Sequence, residues 1–431
     1  MRPANVFVFG LTEFNLDRLQ RVRGAENLRF HRLLDREELV ERDHYPIREI
    51  LDQARQRLRQ FSGSVDGIVH YIDFPVSTIV PILTREFGLP SASLEAVLTC
   101  EHKYWSRVEQ ARLIPEHTPK FTAFDPFDAH ALDQLEQKIG YPFWIKPVKS
   151  FSSYLGFRIN GPQDFREAIP RIRKEIGRFA EPFDYLLDQL QLPAAIQGVG
   201  GGHCIAEGII GGRQCTLEGF AKDGEVHTYG VVDSIREANR SSFGRYQYPS
   251  ALPRHVQERM KNVAARFMQG IGWDNAPFNI EFFWDRERDQ IWLLEVNTRI
   301  SESHTDLFEK VDGTSNHEVA VDLALGRKPD FRLGAGEFSM AGKFFLRTHE
   351  NARVRRVPKP ETVSQLEREF PGTHIQILAE ESGDLSDMMD QDSYTFCLAQ
   401  IFIGGHDQKD LLARYRQIRD RLDFDLTPRA A

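Results

Sequence analysis

Two apolar runs, residues 278–284 (FNIEFFW) and 291–299 (IWLLEVNTR), each carry an acid where a buried strand ordinarily has none. Side chains alternate along a strand, so Glu295, Asn297 and Arg299 project from one side and Val296 and Thr298 from the other. The link at 285–290 (DRERDQ) is polar and of hairpin length, so the first run returns beside the second and brings Glu281 to Glu295. Two carboxylates and an amide oxygen make a hard-oxygen cage suited to magnesium rather than zinc. The neighbouring arginine points to a metal that carries phosphate. A salt-bridged core explains the same residues, because a buried carboxylate needs either a cation or a protein partner. The hairpin taken alone leaves both readings open.

Three other segments bear on the choice. In residues 141–157 (YPFWIKPVKSFSSYLGF), Lys146 ends an apolar strand and a small-residue loop follows. Hydroxyls and amides of Ser150, Ser152 and Ser153 would cover phosphate oxygens. The loop is no Walker sequence, and a snorkelling edge lysine is the plainer explanation. Residues 204–220 read as a strand, a glycine turn and a returning strand. Backbone groups at 207–210 would offer adenine its donor and acceptor, between walls of Ile209 and Ile210; an ordinary hairpin accounts for the pattern equally. Beyond the acids, Glu302 and His304 lie close enough to touch a substrate or act as a base, although a lone histidine is more often a structural hydrogen-bonder. Arg245 would bind a substrate carboxylate, with a surface arginine as the alternative.

These groups need a scaffold. At 431 residues the chain should hold about two to four domains. Its composition, 41% hydrophobic and 27% charged, is that of a globular protein. No apolar run is long enough to span a membrane, and the start of the chain lacks a signal-peptide pattern. Four widely separated cysteines follow no metal-ligand spacing, so a reduced, cytoplasmic protein is expected. A net charge of −8 offers no support for nucleic-acid binding. Strand patterns at 5–11, 28–34 and 65–71 alternate with helical segments near 15–23 and 47–61, the rhythm of a small parallel α/β domain. Ligands gather at the carboxyl ends of such strands, so residues 10–15 and 72–78 are candidates to line a cleft. A helix is expected through 99–112, strands at 342–347 and 393–403, and a last helix near 409–422.

Taken in order, a lysine opening a small-residue loop, the EGIIGG segment at 207–212 and Glu281 followed by Glu295-x-Asn297-x-Arg299 resemble the ATP-grasp superfamily. Within it the chain looks most like the biotin-carboxylase-like carboxylate–amine ligases. The resemblance covers most of the chain and implies α/β and α+β architecture in three parts. These are a parallel α/β domain over 1–118, an ATP-grasp domain over 119–330 with a lid at about 140–205, and a small α+β domain over 331–431. It implies that Glu281, Glu295 and Asn297 hold Mg2+, with Mn2+ as a substitute, and that Lys146 contacts the α- and β-phosphates of ATP. Lys103, in CEHKYW at 100–105, matches the family's earlier phosphate-contacting lysine. Gly208 and Ile210 would meet adenine, Glu207 would open the hinge, and Arg299 would steady the transferring phosphoryl group. Two departures stand out: the loop after Lys146 is serine-rich with one glycine, and Thr298 replaces the common proline. The implied activity is ATP-dependent activation of a small-molecule carboxylate as an acyl-phosphate, which an amine then attacks, with amino acids as candidate substrates. The competing expectations are a bicarbonate-activating enzyme of the biotin-carboxylase type, served by a separate carrier, and a nucleotide-binding module without turnover. A homodimer is also implied.

Overall fold

The N-terminal apolar runs become parallel strands because each is buried by helices on its flanks. In the computed structural model, which describes residues 2–39, 45–150, 154–237, 242–388 and 395–429, the order is β1 (Ala4–Val8), α1 (Glu13–Leu19), β2 (Leu28–Arg32), α2 (Arg36–Leu39), α3 (Ile47–Gln60), β3 (Gly67–Val69) and α4 (Val76–Phe87). The strands pair in parallel as β2-β1-β3. Ile47, Ile50, Leu51, Ala54 and Leu58 of α3 are buried, a spacing that lines one face of a helix. The loops after β1 and β3 therefore emerge at the carboxyl edge of this sheet, as the sequence pattern predicts.

The helix expected through 99–112 is two helices, α5 (Leu94–Glu101) and α6 (Lys103–Leu113). His102 leaves the helical region (φ −85°, ψ 98°), and its ring nitrogen accepts from the Trp105 amide (3.2 Å). The other nitrogen donates to the Val199 carbonyl (2.9 Å), and burial lowers the ring pKa to about 4, so the ring stays neutral. This break puts Lys103 at the start of α6. Next come β4 (Phe121–Phe124), α7 (Ala131–Lys138), β5 (Phe143–Pro147), β6 (Phe157–Ile159), α8 (Pro162–Glu175), α9 (Gly177–Leu187) and β7 (Cys204–Gly208). Their strands form an antiparallel sheet in the order β4-β7-β5-β6.

The remaining chain builds a larger sheet, a separate two-stranded pair and the helices that flank them from β8 (Arg213–Lys222), β9 (Glu225–Arg236), β10 (Phe243–Tyr248), α10 (Arg254–Gly270), β11 (Ala276–Asp285), β12 (Gln290–Asn297), α11 (Glu302–Asp312), α12 (Asn316–Ala324), β13 (Met340–Thr348), β14 (Ala352–Arg356), α13 (Pro360–Glu369), β15 (Thr373–Ile377), β16 (Phe396–Gly405), α14 (Gln408–Arg419) and β17 (Asp425–Pro428). β14 and β17 form the separate pair. In the larger sheet the strands run in a single continuous series. Its order is β12-β11-β8-β9-β10-β13-β16-β15, so strands from 331–431 extend the sheet of the central region. Val256, Met260, Val263, Ala264 and Phe267 of α10 cover one face together with Leu217, Val231 and Ile280. Leu307, Phe308 and Val311 of α11 pack on the other. No described helix is long and apolar enough to cross a membrane.

The expected hairpin at 204–220 is not one. β7 pairs with β4 and β5, whereas β8 pairs with β9 and β11, so residues 209–212 cross between two sheets. The sequence pattern shows a turn but not which strands it separates. Gly212 makes the crossing possible: its φ is +124°, and a Cβ there would overlap the Trp284 carbonyl. Gly212→Ala should therefore cost about 1–3 kcal/mol in chemical denaturation. Gly211→Ala, with open space around it, should cost less than the Gly212 variant; equal losses would refute the role given to the crossing.

Candidate active site

β11 and β12 are antiparallel, and their register sets Glu281 directly opposite Glu295 and Asn279 opposite Asn297, with a bulge after Glu281. The carboxylates are half-buried. At a cross-strand separation of about 5 Å and an effective dielectric near 20, two like charges repel by roughly 3 kcal/mol. One of them is compensated: Lys103 Nζ lies 2.8 Å from Glu295 Oε1 and also donates to the Ser150 carbonyl (2.6 Å). Burial alone would raise the Glu295 pKa, but the Lys103 charge outweighs it and holds the group below the usual carboxylate range. Glu281 has no ion-pair partner among the described residues. It accepts from Gln214 Nε2 (2.8 Å) and Asn297 Nδ2 (3.4 Å), and burial followed by the nearby Glu295 charge pushes its pKa up. The other hydrogen bond from Asn297 Nδ2 goes to Asn279 (2.7 Å), so its carbonyl oxygen accepts from no described residue.

This donor set fits a magnesium ion. Two carboxylate oxygens and one amide oxygen are hard ligands, and they carry one more negative charge than Lys103 offsets. Among the described residues no group of three His, Cys, Asp or Glu is gathered for a metal. A hard cation here would complete its shell with phosphate and water oxygens, the usual arrangement for magnesium with a nucleotide.

The lysine and hinge segments meet beside this pair. Lys146 Nζ is 2.7 Å from Glu207 Oε2, and Arg107 Nε is 2.5 Å from Glu207 Oε1. Desolvation opposes ionisation, yet the two cations bring the Glu207 pKa down to about 2. Arg107 also donates to the carbonyls of Leu293 (2.8 Å) and Leu294 (2.9 Å), tying the four-stranded sheet to β12. The Gly208 amide is already bonded to the Lys120 carbonyl (2.9 Å). That engages the Gly208 N–H within the sheet and leaves Ile209 and Ile210 beyond it as the edge of the hinge. Ile209 is 38% exposed, a large apolar surface at that edge. Ser152 and Ser153 lie outside the described residues.

β12 ends at Asn297, so Arg299 follows it rather than belonging to it. Asp73, from the loop after β3, grips Arg299 by both oxygens (2.6 Å each). Burial works against both charges, but their mutual attraction lowers the Asp73 pKa and raises that of Arg299. Thr298, on the opposite side, donates to Glu101 Oε1 (2.6 Å). Glu101 is also engaged by Ser77 (2.9 Å) and by the buried Lys149, whose ammonium lies over the Phe74 ring. The segment after β1 arrives through Asn15 in the first turn of α1, which donates to Glu302 (2.6 Å). Both segments picked out from the sequence therefore reach this region.

Two expected substrate residues lie elsewhere. Arg245 faces away: its neighbour Tyr246 meets His304 (ring centroids 5.2 Å apart), while Arg245 lies over Phe344, which stacks on Tyr415 of α14. Strand alternation decides this. His304 is 3% exposed and bonded to the fully buried Glu218 (2.6 Å), which also accepts from Tyr229 (2.9 Å) and Asn316 (3.1 Å). It serves the core, which corrects its reading as a base. The sequence marks Asp73 only as part of the cleft-lining segment 72–78 and Lys149 only as the second lysine of KPVK, without a role for either. Arg107 and Gln214 signal nothing until partners 100 and 67 positions away are known.

With this geometry established, comparison with known proteins identifies the architecture. Residues 139–305 match the family model described as ATP-grasp domain. The C-terminal section of the carbamoyl phosphate synthase large chain of Methanopyrus kandleri is 26% identical over 210 residues, covering 48% of this chain and 34% of that protein. The matched stretch thus spans about a third of the length of that curated relative. Among solved structures, an L-amino acid ligase from Bacillus licheniformis superposes with a TM-score of 0.73 at 16% identity, covering 100% of both chains. A biotin carboxylase–ATP analogue complex from Campylobacter jejuni gives 0.66 at 14% identity, covering 98% of this chain and 92% of the other. Residues 139–305 thus resemble an ATP-grasp domain, as the motif order implies, and the whole chain shares its fold with the L-amino acid ligase.

Glu281→Gln removes an under-compensated charge, so at neutral pH the variant should melt a few degrees above the wild type when no divalent ion is present. Because the folded-state pKa of Glu281 is raised, its ionisation costs stability above the ordinary value of 4.5. The gap should close as pH falls toward that value, and the stabilisation by magnesium and ADP should shrink. A variant less stable than wild type at every pH would sink the charge argument. Arg107→Ala leaves a buried triad broken and should cost about 3–5 kcal/mol. Lys146→Ala keeps Arg107 on Glu207 and should cost less while weakening nucleotide binding more, as read by denaturation and calorimetry.

Proposed function

We propose that this protein is an ATP-dependent ligase that activates a carboxylate and joins it to an amine. The observation that carries the reading is Glu281 set opposite Glu295 with one lysine for two carboxylates. The fold shared with an L-amino acid ligase and a biotin carboxylase supports it. Bound magnesium would neutralise charge on the phosphates of ATP. Glu281, Glu295 and the Asn297 carbonyl would hold it.

The chain's own groups position the reactants. Ile209 and Ile210 flank adenine at the free hinge edge, while Lys103 and Lys146 approach the phosphates from α6 and β5. Lys146 then shares its ammonium between Glu207 and the nucleotide. Arg299, locked in orientation by Asp73, keeps donors to place on the transferring group. A carboxylate oxygen of the first substrate attacks the γ-phosphorus and ADP leaves. The amine nitrogen then attacks the acyl carbon, the C–O bond to phosphate breaks, and the amine proton passes to a base or water. One carboxylate oxygen therefore departs within the released phosphate. The four-stranded sheet, joined to the rest by residues 209–212 and by Arg107, is the part that would close to exclude water.

The test is ADP release with panels of carboxylates and amines, followed by mass spectrometry of the product. With an 18O-labelled carboxylate, about one label should appear per phosphate, and Glu295→Gln should lower turnover by at least about 100-fold. Turnover that depends on bicarbonate and on no amine would replace this reading with a carboxylase. Unlabelled phosphate would exclude the acyl-phosphate.

A further inference from the structure

Away from the acid pair, the far end of α11 adjoins a separate cavity. It holds about 520 Å³ and lies between that helix end, β9, the end of β10 and residues 333–339. Such a volume suits a small molecule. One wall, residues 334–338, is fastened to the last turn of α11 by three hydrogen bonds. The Phe338 amide donates to the Lys310 carbonyl (3.0 Å), Gly336 to the Val311 carbonyl (2.9 Å) and Gly334 to Asp312 Oδ1 (2.7 Å). Gly336 fits so closely that a Cβ would overlap the Lys310 carbonyl. The helix end and the loop thus form one packed unit around the space.

Charge in this cavity is one-sided. Asp312, the last residue of α11, lines it and is 2% exposed. Its Oδ2 receives no hydrogen bond of ordinary length, and no cationic side chain pairs with the carboxylate among the described residues. The Tyr248 phenol stands near the same carboxylate and stays protonated, because burial and the Asp312 charge raise its pKa. An acid in the last turn also meets the negative end of the helix dipole. The basic residue of that turn, Lys310, is turned back to Asp306, and Lys261 on the cavity wall is paired with Glu258 (2.8 Å). Burial accordingly raises the Asp312 pKa. A buried carboxylate without a partner calls for a cation. A hard metal ion would need several converging oxygen ligands, and among the described residues no group of three His, Cys, Asp or Glu is gathered. Val231, Val311, Phe338 and the ring of Tyr229 instead provide apolar walls, and aromatic faces accommodate organic cations. The 11-residue α11 is about 16 Å long, and Arg299 precedes its other end, so this cavity is distinct from the nucleotide cleft.

We propose that this cavity binds a small organic cation, whose ammonium or amidinium N–H groups meet Asp312 Oδ2 while an apolar body lies against the walls. The site is additional to the ligase reading and does not depend on it. Neutral and anionic molecules of the same size leave the Asp312 carboxylate uncompensated, so charge rather than shape sets the preference.

The experiment is calorimetric titration of the nucleotide-free protein with benzylammonium, benzyl alcohol and benzoate, which share a ring and differ in charge. Benzylammonium should bind about 10- to 100-fold more tightly than benzyl alcohol, the size of a hydrogen bond to a charged group, with benzoate weakest. Asp312→Asn keeps an oxygen for the Gly334 amide and should remove that preference. Ser339→Trp, at the exposed rim of the cavity, should block benzylammonium outright. A cooperative melting transition reports folding of each variant, and Ser339→Trp decides the matter if Asp312→Asn does not fold. Saturating magnesium and ADP should leave the benzylammonium affinity unchanged. Four results would each overturn the assignment: no benzylammonium binding in the millimolar range, equal affinity for benzyl alcohol, binding that survives in a folded variant as in wild type, or displacement by magnesium and ADP.

Discussion

Two carboxylates placed face to face on neighbouring strands are the constraint around which this structure is arranged. Their repulsion, about 3 kcal/mol at the separation of paired strands, is tolerated because Lys103 offsets Glu295 and because amide donors rather than acids surround Glu281. The break at His102 follows from the same need. A continuous helix through 99–112 would not place Lys103 at a helix start, where its side chain reaches both Glu295 and the Ser150 carbonyl. A residue that interrupts a helix is usually a stability cost; here it sets the charge balance of the cleft.

The charged groups around this pair share a design: each is held by a partner from a different part of the chain. Arg299 is gripped by Asp73 from the parallel sheet, Glu207 by Arg107 and Lys146, and Lys149 by Glu101. Long-range pairs of this kind are weak sources of net stability, since desolvation offsets most of the attraction. Their effect is geometric. They orient cationic side chains toward one cleft and fasten three sheets to each other at the places where a nucleotide would have to be grasped. Arg107, bonded to two carbonyls of β12 as well as to the hinge acid, is the clearest case.

The large sheet sorts function by face. Glu281, Gln214, Tyr246 and Lys343 project on the side of α11, while Arg245 turns to α14. Arg245 and Lys343 lie on adjacent strands, yet one residue of alternation sends them to opposite environments. Burial among aromatic rings, with no carboxylate at ion-pair distance among the described residues, distinguishes Lys343 from the ordinary surface lysines of the chain.

The sequence by itself determined the acid pair, the polar turn that returns β12 along β11, the parallel N-terminal sheet and its two cleft-lining loops. All of these follow from local periodicity and short-range chain reversal, which a linear pattern records directly. Only the tertiary structure decided that residues 204–220 join two sheets, that strands after 331 extend the central sheet, and that His304 and Lys343 are both buried on the α11 side of that sheet. Sheet membership and ion-pair partners depend on contacts between residues far apart in sequence, and Glu207 or Arg299 has the same composition around it whether its partner is a protein cation, an acid or a ligand. Periodicity shows which way a side chain turns along its own strand; what it meets there is settled when the strands assemble.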